Sequence, residues 1–285
     1  MPSKEYQAFR EAFAKLPPPG SVPPDAPPPE GVYLFGGAFP IPEGVAVTKE
    51  TVAGVPCEWS RVTGAPEDKL LIYLHGGGFQ QVPRGKCMEF PFGAELASRS
   101  GWNVIAPDYR LMPEGRFPDM LADVAAVYTA LLERGHKAEN IAVTGESAGG
   151  NLSLALWLRC KMYGIARPGA VAALSPAADL SGTEADIGNR LAPGRDLTAP
   201  LISPRYGDYR GMKRVFIQYG TDDLDAVLAG PGEAMIADMR AQGVDVVYDK
   251  CPGMGHAFAA DVGLYPEADE ACKRAIDFMK AEIGA

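Results

Sequence analysis

Residues 140 to 150 read Asn-Ile-Ala-Val-Thr-Gly-Glu-Ser-Ala-Gly-Gly, a short apolar run followed by the pattern Gly-x-Ser-x-Gly. Ile141 to Val143 suit a buried strand, and Asn151 to Tyr163, rich in Leu and Ala, suits a buried helix. Ser147 therefore falls at a sharp turn between strand and helix, which is typical of a nucleophilic serine. The first N–H groups of such a helix favour negative charge at that turn.

From residue 45 onward, short apolar runs alternate with amphipathic stretches. The continuous apolar runs are typical of parallel strands buried on both faces, and Ala46 to Arg61 suits antiparallel edge strands. We therefore predict a doubly wound, mostly parallel α/β sheet with its active site at the carboxyl ends of the strands. The predicted strands are Leu70 to Leu74, Asn103 to Ala106, Ile141 to Val143, Ala170 to Leu174, Val215 to Tyr219 and Val244 to Tyr248. The predicted helices are Met120 to Arg134, Asn151 to Tyr163, Glu233 to Ala241 and Ala268 to Ile283.

The chain length suits one catalytic domain, which we place at residues 41–285, after an N-terminal arm of residues 1–40. Residues 4–15 have helical apolar spacing, and the following residues 16–30 are too rich in proline to continue that helix. We expect the arm to form a small cap over the active site, with a tether or a dimer contact as alternatives. A shortened insertion at about 180–212, which reads as loop more than helix, completes that cap.

The composition excludes several classes of partner. A formal net charge of -9 without a Lys/Arg cluster argues against nucleic acid and against stable membrane association. Five scattered cysteines lack metal-binding spacing and suit free thiols in a reducing cytoplasm, so we expect no metal site. The polar N-terminus does not resemble a signal peptide, and we expect a cytoplasmic protein.

Three consecutive glycines follow a predicted strand in His75-Gly-Gly-Gly-Phe79. Bare backbone at a strand's carboxyl end offers N–H donors to an oxyanion, and such donors stabilise the transition state of acyl transfer. The N–H groups of Gly77 and Gly78, together with that of Ala148, are our candidates for this oxyanion hole. A flexible glycine turn is the alternative.

A serine nucleophile needs a base, and the chain has three histidines. His75 precedes the glycine turn, and we expect it to brace that turn through hydrogen bonds. His136 lies in a polar loop between a helix and a strand. His256 follows the predicted strand Val244 to Tyr248 in a glycine-rich loop at the correct edge of the sheet. We therefore predict that His256 is the base.

A carboxylate should orient this histidine. Asp222 comes first after the predicted strand Val215 to Tyr219 and is our candidate, with Asp223 and Asp225 as solvated or helix-capping neighbours. Asp179 is an outside candidate. The order Ser147, Asp222, His256 along the chain matches that of α/β-hydrolases.

Six motifs, which span roughly residues 45 to 280, resemble in their order those of the bacterial hormone-sensitive-lipase-like esterases, family IV of the bacterial lipolytic enzymes. The resemblance implies an α/β-hydrolase fold, a Ser147-Asp222-His256 triad and the oxyanion hole named above, supported by His75, Gly76 and Glu146. It also implies that Asp108, Tyr109 and Arg110 buttress the glycine loop. The motifs are His75-Gly-Gly-Gly-Phe79, Pro107-Asp-Tyr-Arg-Leu-Met-Pro-Glu114, Gly145-Glu-Ser-Ala-Gly-Gly150, Ser175-Pro176, Gly220-Thr-Asp222 and Gly253-Met-Gly-His256.

The implied activity is hydrolysis of short to medium acyl esters without any cofactor. Alternatives are an amidase, arylformamidase or deacetylase with the same triad, or a non-catalytic small-ligand receptor, although the retained His256 argues against a receptor. The family also makes a homodimer possible. The chain departs from the family pattern at Glu146, where Asp is common, at Met112, where a small residue is usual, and at Asp222-Asp-Leu224, where Asp-Pro-Leu is usual.

Overall fold

A computed structural model describes residues 2–14, 41–80, 92–182 and 184–284, with residues 13 and 223–226 described by their backbone alone. Its centre is an eight-stranded sheet in the order β1-β2-β4-β3-β5-β6-β7-β8. The β1/β2 and β2/β4 pairs are antiparallel, and every other pair is parallel. The strands are β1 (Val45–Val52), β2 (Val55–Val62), β3 (Leu70–Leu74), β4 (Asn103–Pro107), β5 (Ile141–Glu146), β6 (Ala170–Leu174), β7 (Arg214–Gly220) and β8 (Asp245–Cys251).

Helices cover both faces of this sheet, so the predicted doubly wound α/β fold is confirmed. Alternate residues of β3 enter different cores: Ile72 packs with α3 and α4, whereas Leu71 packs with α2 and α7. The helix α6 joins the first face, and α1 joins the second. The helices are α1 (Lys4–Phe13), α2 (Phe92–Ser100), α3 (Asp119–Glu133), α4 (Ala148–Tyr163), α5 (Ala185–Leu191), α6 (Asp223–Ala241) and α7 (Pro266–Ile283).

Several predicted boundaries were wrong. The helix α6 begins at Asp223, ten residues before the predicted Glu233, because Pro231 inside it reads as a helix breaker in the sequence. The helix α2 was not predicted at all. The cap insertion, which we expected to be loop, contains the seven-residue helix α5, in which Ile187 and Leu191 at helical spacing both pack against the core.

The expectation that the N-terminal arm covers the active site concerns mainly residues 15–40, which lie outside the described residues. The described helix α1 packs beside α7. Within the described ranges, no helix combines the length and the apolar character needed to span a membrane.

Candidate active site

Ser147 occupies a strained turn between β5 and α4. Its backbone has φ 54° and ψ -115°, a combination that a residue with a side chain rarely adopts. The Ser147 N–H donates to the carbonyl of Leu174 at 2.9 Å, and the Ser147 carbonyl accepts from the N–H of Ala177 at 3.1 Å. The turn is therefore fixed to the carboxyl end of β6, and the predicted strand-turn-helix arrangement is confirmed.

Two glycines let this turn approach the neighbouring strand β3. A Cβ atom added at Gly145 would lie 2.3 Å from the carbonyl oxygen of Leu74, and one added at Gly149 only 1.8 Å from the same oxygen. Both distances are far below van der Waals contact, so only glycine fits without backbone movement. The close approach brings the start of the glycine loop, His75 to Gly78 directly after β3, beside Ser147.

The glycine loop itself has the backbone that its sequence suggests. Gly77 and Gly78 have φ of 106° and 63°, values that favour glycine. Within the described ranges, the N–H groups of Gly77, Gly78 and Ala148 donate to no protein acceptor. These are the three donors predicted for the oxyanion hole.

Glu146 connects the serine turn to the glycine loop. Its Oε1 atom accepts from the N–H of Gly76 at 2.6 Å and from the hydroxyl of Tyr73 at 3.0 Å. Burial raises the pKa of Glu146 to about 7, although both hydrogen bonds favour the anion and oppose that shift. Its other oxygen, Oε2, has no hydrogen-bond partner within the described part of the chain.

His75 lies at the start of the same loop and contacts Tyr109. Its ring stacks on Tyr109 with centroids 4.3 Å apart, and the Tyr109 hydroxyl donates to the His75 carbonyl at 2.6 Å. Burial lowers the pKa of His75 to about 4, so the ring is neutral near pH 7. The His75 Nδ1 lies 2.7 Å from the Gly76 carbonyl and can donate to it. His75 therefore serves the loop backbone.

The expectation that Arg110 also buttresses this loop was wrong. Its guanidinium binds Asp123 at 2.7 Å and Asp119 at 3.3 Å, so it connects the end of β4 to α3 instead. Asp108 donates its N–H to the carbonyl of Pro56 on β2. Tyr109 contacts the glycine loop directly through its bond to the His75 carbonyl.

His136 lies at the opposite edge of the sheet from Ser147. It precedes the first residue of β5, whereas Ser147 follows the last. At about 3.3 Å per residue, the six-residue strand separates them by roughly 20 Å. His136 therefore cannot act as the base for Ser147.

The loop that carries His256, residues 252–257 and here called the histidine loop, meets the same strand end as Ser147. The N–H of Ala257 donates to the hydroxyl of Ser175 at 3.1 Å, and Ser175 directly follows Leu174, which holds the Ser147 N–H. Two consecutive residues at the end of β6 thus hold the serine turn and the histidine loop. This arrangement places Ser147 and His256 at the same edge of the sheet.

The turn after β7 packs against this histidine loop. The N–H groups of Thr221 and Asp222 each donate to the Met254 carbonyl at 3.0 Å. The Asp222 carboxylate is about half exposed and lies 4.0 Å from the Arg10 guanidinium and 3.4 Å from the Thr221 hydroxyl. In the described part of the chain, no contact is shown between this carboxylate and the His256 ring.

Asp179, the outside candidate for the acid, has other partners. Its carboxylate accepts from the N–H and hydroxyl of Ser181 at 2.9 and 2.6 Å and from the Tyr206 hydroxyl at 3.1 Å. Arg205 lies 3.9 Å away. These bonds tie Asp179 to the cap insertion.

Glu184 is a site-region residue that sequence analysis missed. It immediately precedes α5, and burial raises its pKa to about 7 while the electrostatic effect of nearby His256 lowers it. Its Oε2 atom has no partner within the described ranges. No motif surrounds Glu184, so its proximity to His256 depends on how the cap insertion folds back on the sheet.

The described cysteines take no part in this site. Cys57, Cys160, Cys251 and Cys272 are buried free thiols, and burial raises the pKa of each to about 12. Cys87 lies outside the described residues. Within the described ranges, no group of three or more His, Cys, Asp or Glu side chains could hold a metal ion.

Comparisons with known proteins agree with this architecture. Residues 71–260 match the family described as the alpha/beta hydrolase fold. LipR of Mycobacterium tuberculosis, a protein named as an acetyl-hydrolase, is 33% identical over 251 residues, which cover 81% of this chain and 79% of LipR. An acetyl-hydrolase of Streptomyces hygroscopicus is 28% identical over 87% of this chain and 86% of its own.

Solved structures give the same result. EstE5 soaked with p-nitrophenyl butyrate superposes with a TM-score of 0.85 at 28% identity, over 99% of this chain and 100% of EstE5. An EstE5–PMSF structure gives a TM-score of 0.82 at 29% identity, over 99% of this chain and 98% of the EstE5 chain. The chain therefore belongs to the α/β-hydrolase fold family and, within it, to the esterases that resemble hormone-sensitive lipase. It is a carboxylic-ester hydrolase.

Proposed function

We propose that this esterase hydrolyses short to medium acyl esters through an acyl-enzyme on Ser147. The Ser147 hydroxyl attacks the ester carbonyl carbon while His256 accepts its proton. The N–H groups of Gly77, Gly78 and Ala148 stabilise the oxyanion that forms. The alcohol then leaves with the proton from His256. Water next attacks the acyl carbon while His256 accepts a proton from it, and the bond to the Ser147 oxygen breaks as that proton passes to the oxygen, which releases the acid.

The observation that carries this proposal is the convergence at the end of β6. Leu174 holds the backbone of Ser147, and Ser175 holds the N–H of Ala257 next to His256. A nucleophile and a base from distant parts of the chain are thereby anchored to adjacent residues. The N–H groups of Gly77 and Gly78, which donate to no acceptor in the described part of the chain, follow β3, the strand that pairs with β5. An acyl-transfer site requires such donors beside its nucleophile.

We propose that the supporting carboxylate comes from the turn after β7, with Asp222 as the candidate. Its backbone is bonded to the histidine loop through Met254, which supports the assignment of this turn. Asp223 and Asp225 follow on the first turn of α6 and are the alternatives within the same segment.

The relatives support a small acyl group. LipR and the Streptomyces protein are named as acetyl-hydrolases, and EstE5 has been soaked with a butyrate ester. We therefore propose acetyl to butyryl esters of small alcohols or phenols as the substrates. Activity on p-nitrophenyl esters from acetate to palmitate should peak at the short end, and a maximum at palmitate would contradict this choice.

The test of the nucleophile uses PMSF, which sulfonylates an activated serine with loss of fluoride. Intact-mass and peptide analysis should find one sulfonyl group, on Ser147, and kcat for p-nitrophenyl butyrate should fall in proportion to labelling. Ser147→Ala should lose both labelling and at least about 10³-fold in kcat. Ser153→Ala is a matched control, because Ser153 lies in α4, the helix that begins directly after Ser147, and its hydroxyl donates to the Gly149 carbonyl. Label on another serine, or full activity in Ser147→Ala, would refute the assignment.

A paired measurement separates ester from amide cleavage. p-Nitrophenyl butyrate and the corresponding butyryl p-nitroanilide carry the same acyl group and differ in the leaving atom. We expect the ester to react at least about 10³-fold faster in kcat/KM. A higher kcat/KM for the anilide than for the ester would instead identify an amidase that uses the same residues.

A further inference from the structure

The N-terminal helix α1 makes a direct contact with the histidine loop. The Tyr6 hydroxyl oxygen accepts a hydrogen bond from the N–H of Gly255 at 2.7 Å, and Gly255 immediately precedes His256. Both groups are buried, and Tyr6 is 3% exposed. The contact joins residues 249 positions apart in the sequence.

The helix is held in place independently of this bond. The N–H and hydroxyl of Ser3 donate to the Glu267 carboxylate on α7 at 2.5 and 2.8 Å. The Tyr6 ring meets Tyr265 edge to face with centroids 4.9 Å apart, and Phe9 packs on the same tyrosine. These contacts fix the position of the Tyr6 hydroxyl against the loop.

The rest of the histidine loop is held by the catalytic domain. The N–H of Gly253 donates to the Thr221 hydroxyl at 2.8 Å, and the N–H of Ala257 donates to the Ser175 hydroxyl at 3.1 Å. The N–H of Gly255, between these two, is held by Tyr6 from outside the sheet. Without the Tyr6 hydroxyl this buried N–H would lose its described acceptor, which costs free energy that loop movement can relieve.

Arg10 supports the same hydroxyl. Its Nη1 atom donates to the Tyr6 hydroxyl oxygen at 3.2 Å and lies 4.0 Å from the Asp222 carboxylate. One turn of α1 therefore contacts the histidine loop and the turn after β7. The ion pair is partly exposed and solvent-screened, so the Tyr6 bond is the stronger of the two contacts.

We propose that Tyr6 is a positioning residue for His256, so that α1 completes the catalytic machinery from outside the α/β domain. The inference rests on the proposed role of His256 as the base. A base must stay within hydrogen-bond reach of the serine hydroxyl through the reaction, and small displacements lower the chemical rate strongly. Tyr6 acts on His256 through the Gly255 backbone and does not line the oxyanion hole, so its loss affects kcat and leaves KM nearly unchanged.

The test is Tyr6→Phe, which keeps the ring packed on Tyr265 and removes the hydroxyl. We expect kcat for p-nitrophenyl butyrate to fall about tenfold, the change that one lost hydrogen bond produces, with KM within about twofold of wild type. The rate of PMSF modification of Ser147 should fall by a similar factor, because sulfonylation needs the same proton transfer to His256. Circular dichroism and thermal unfolding establish that the variant is folded at the assay temperature.

Ser3→Ala is the matched control, because it removes the bond from the Ser3 hydroxyl to Glu267 and the helix cap at the Tyr6 N–H. The bond from the Ser3 N–H to Glu267 and the Tyr6 hydroxyl stay in place. We expect a loss of thermal stability comparable with that of Tyr6→Phe, and kcat within about twofold of wild type. Wild-type kcat and PMSF rate in Tyr6→Phe, or an equal loss of kcat in Ser3→Ala, would overturn the positioning role. Absence of PMSF label on Ser147 in the wild-type protein would instead refute the proposed function itself.

Discussion

The carboxylate of Glu146 accepts a hydrogen bond from the N–H of Gly76 at 2.6 Å. This bond joins the residue before Ser147 to the second residue of the glycine loop. It also orients the Gly76 peptide, and the peptides of Gly77 and Gly78 follow directly. The position of the proposed oxyanion donors is thus linked to the position of Ser147 through one buried side chain.

Glu146→Gln should change how stability depends on pH. Burial raises the pKa of Glu146 from 4.5 to about 7, so ionisation is costlier in the folded than in the unfolded protein. The wild-type chain should therefore lose stability as the pH rises from 4.5 to about 7, by on the order of 3 kcal/mol from this group. Glutamine can still accept from Gly76 and Tyr73 through its amide oxygen, and it cannot ionise.

Urea unfolding of both proteins at pH 5 and pH 8 measures this effect. Since other buried carboxyls titrate in both proteins, the useful quantity is the difference in unfolding free energy between variant and wild type. That difference should favour Glu146→Gln more at pH 8 than at pH 5. Parallel changes in the two proteins would show that Glu146 does not carry the predicted cost.

Gly149→Ala should prevent normal folding. The new Cβ would lie 1.8 Å from the backbone oxygen of Leu74, and backbone atoms cannot rotate away as a flexible side chain could. We expect a loss of more than about 4 kcal/mol or no soluble protein. Gly93→Ala is the control, because its Cβ would meet Tyr73 at an ordinary 3.6 Å. It should change stability by less than about 1 kcal/mol, and equal losses in the two variants would contradict the steric explanation.

The parts of the site that sequence alone predicted are those that depend on local backbone demands. The turn at Ser147 and the loop from His75 to Gly78 contain glycines and follow apolar strands. Residues that are adjacent in the sequence therefore determine their backbone conformations. Glu184 and the Tyr6 contact with Gly255 depend on how distant segments pack, and no periodicity encodes such a contact. The start of α6 was missed because Pro231 suggests that the helix begins after it, whereas tertiary packing stabilises a helix that continues through this proline.

Tyr109→Phe should impair catalysis more than Arg110→Ala. The Tyr109 hydroxyl bonds to the His75 carbonyl at 2.6 Å, next to the glycine loop, whereas the half-exposed Arg110 binds α3. We expect kcat for p-nitrophenyl butyrate to fall about tenfold in Tyr109→Phe and to stay within about twofold in Arg110→Ala. Both variants should fold, as checked by thermal unfolding, and a larger kinetic loss in Arg110→Ala would contradict the assigned contacts.

Replacement of single carboxylates should identify the residue that supports His256. Asp222→Asn should lower kcat by about 10³- to 10⁴-fold with little loss of folding, because the amide no longer stabilises the imidazolium. Asp179→Asn should lose stability, since Asp179 accepts from Ser181 and Tyr206, and should keep kcat within about tenfold. The measurement is kcat for p-nitrophenyl butyrate beside the rate of PMSF modification, since both need the imidazolium.

Asp225→Asn is the decisive companion variant. The half-exposed Asp222 carboxylate, 4.0 Å from Arg10, is accessible to solvent, and a solvated carboxylate orients an imidazole less firmly than a buried one. If Asp222 is the acid, Asp225→Asn should retain kcat within about tenfold. The opposite pattern, with the large loss in Asp225→Asn and near-normal turnover in Asp222→Asn, would move the acid three residues into α6 while leaving Ser147 and His256 in their proposed roles.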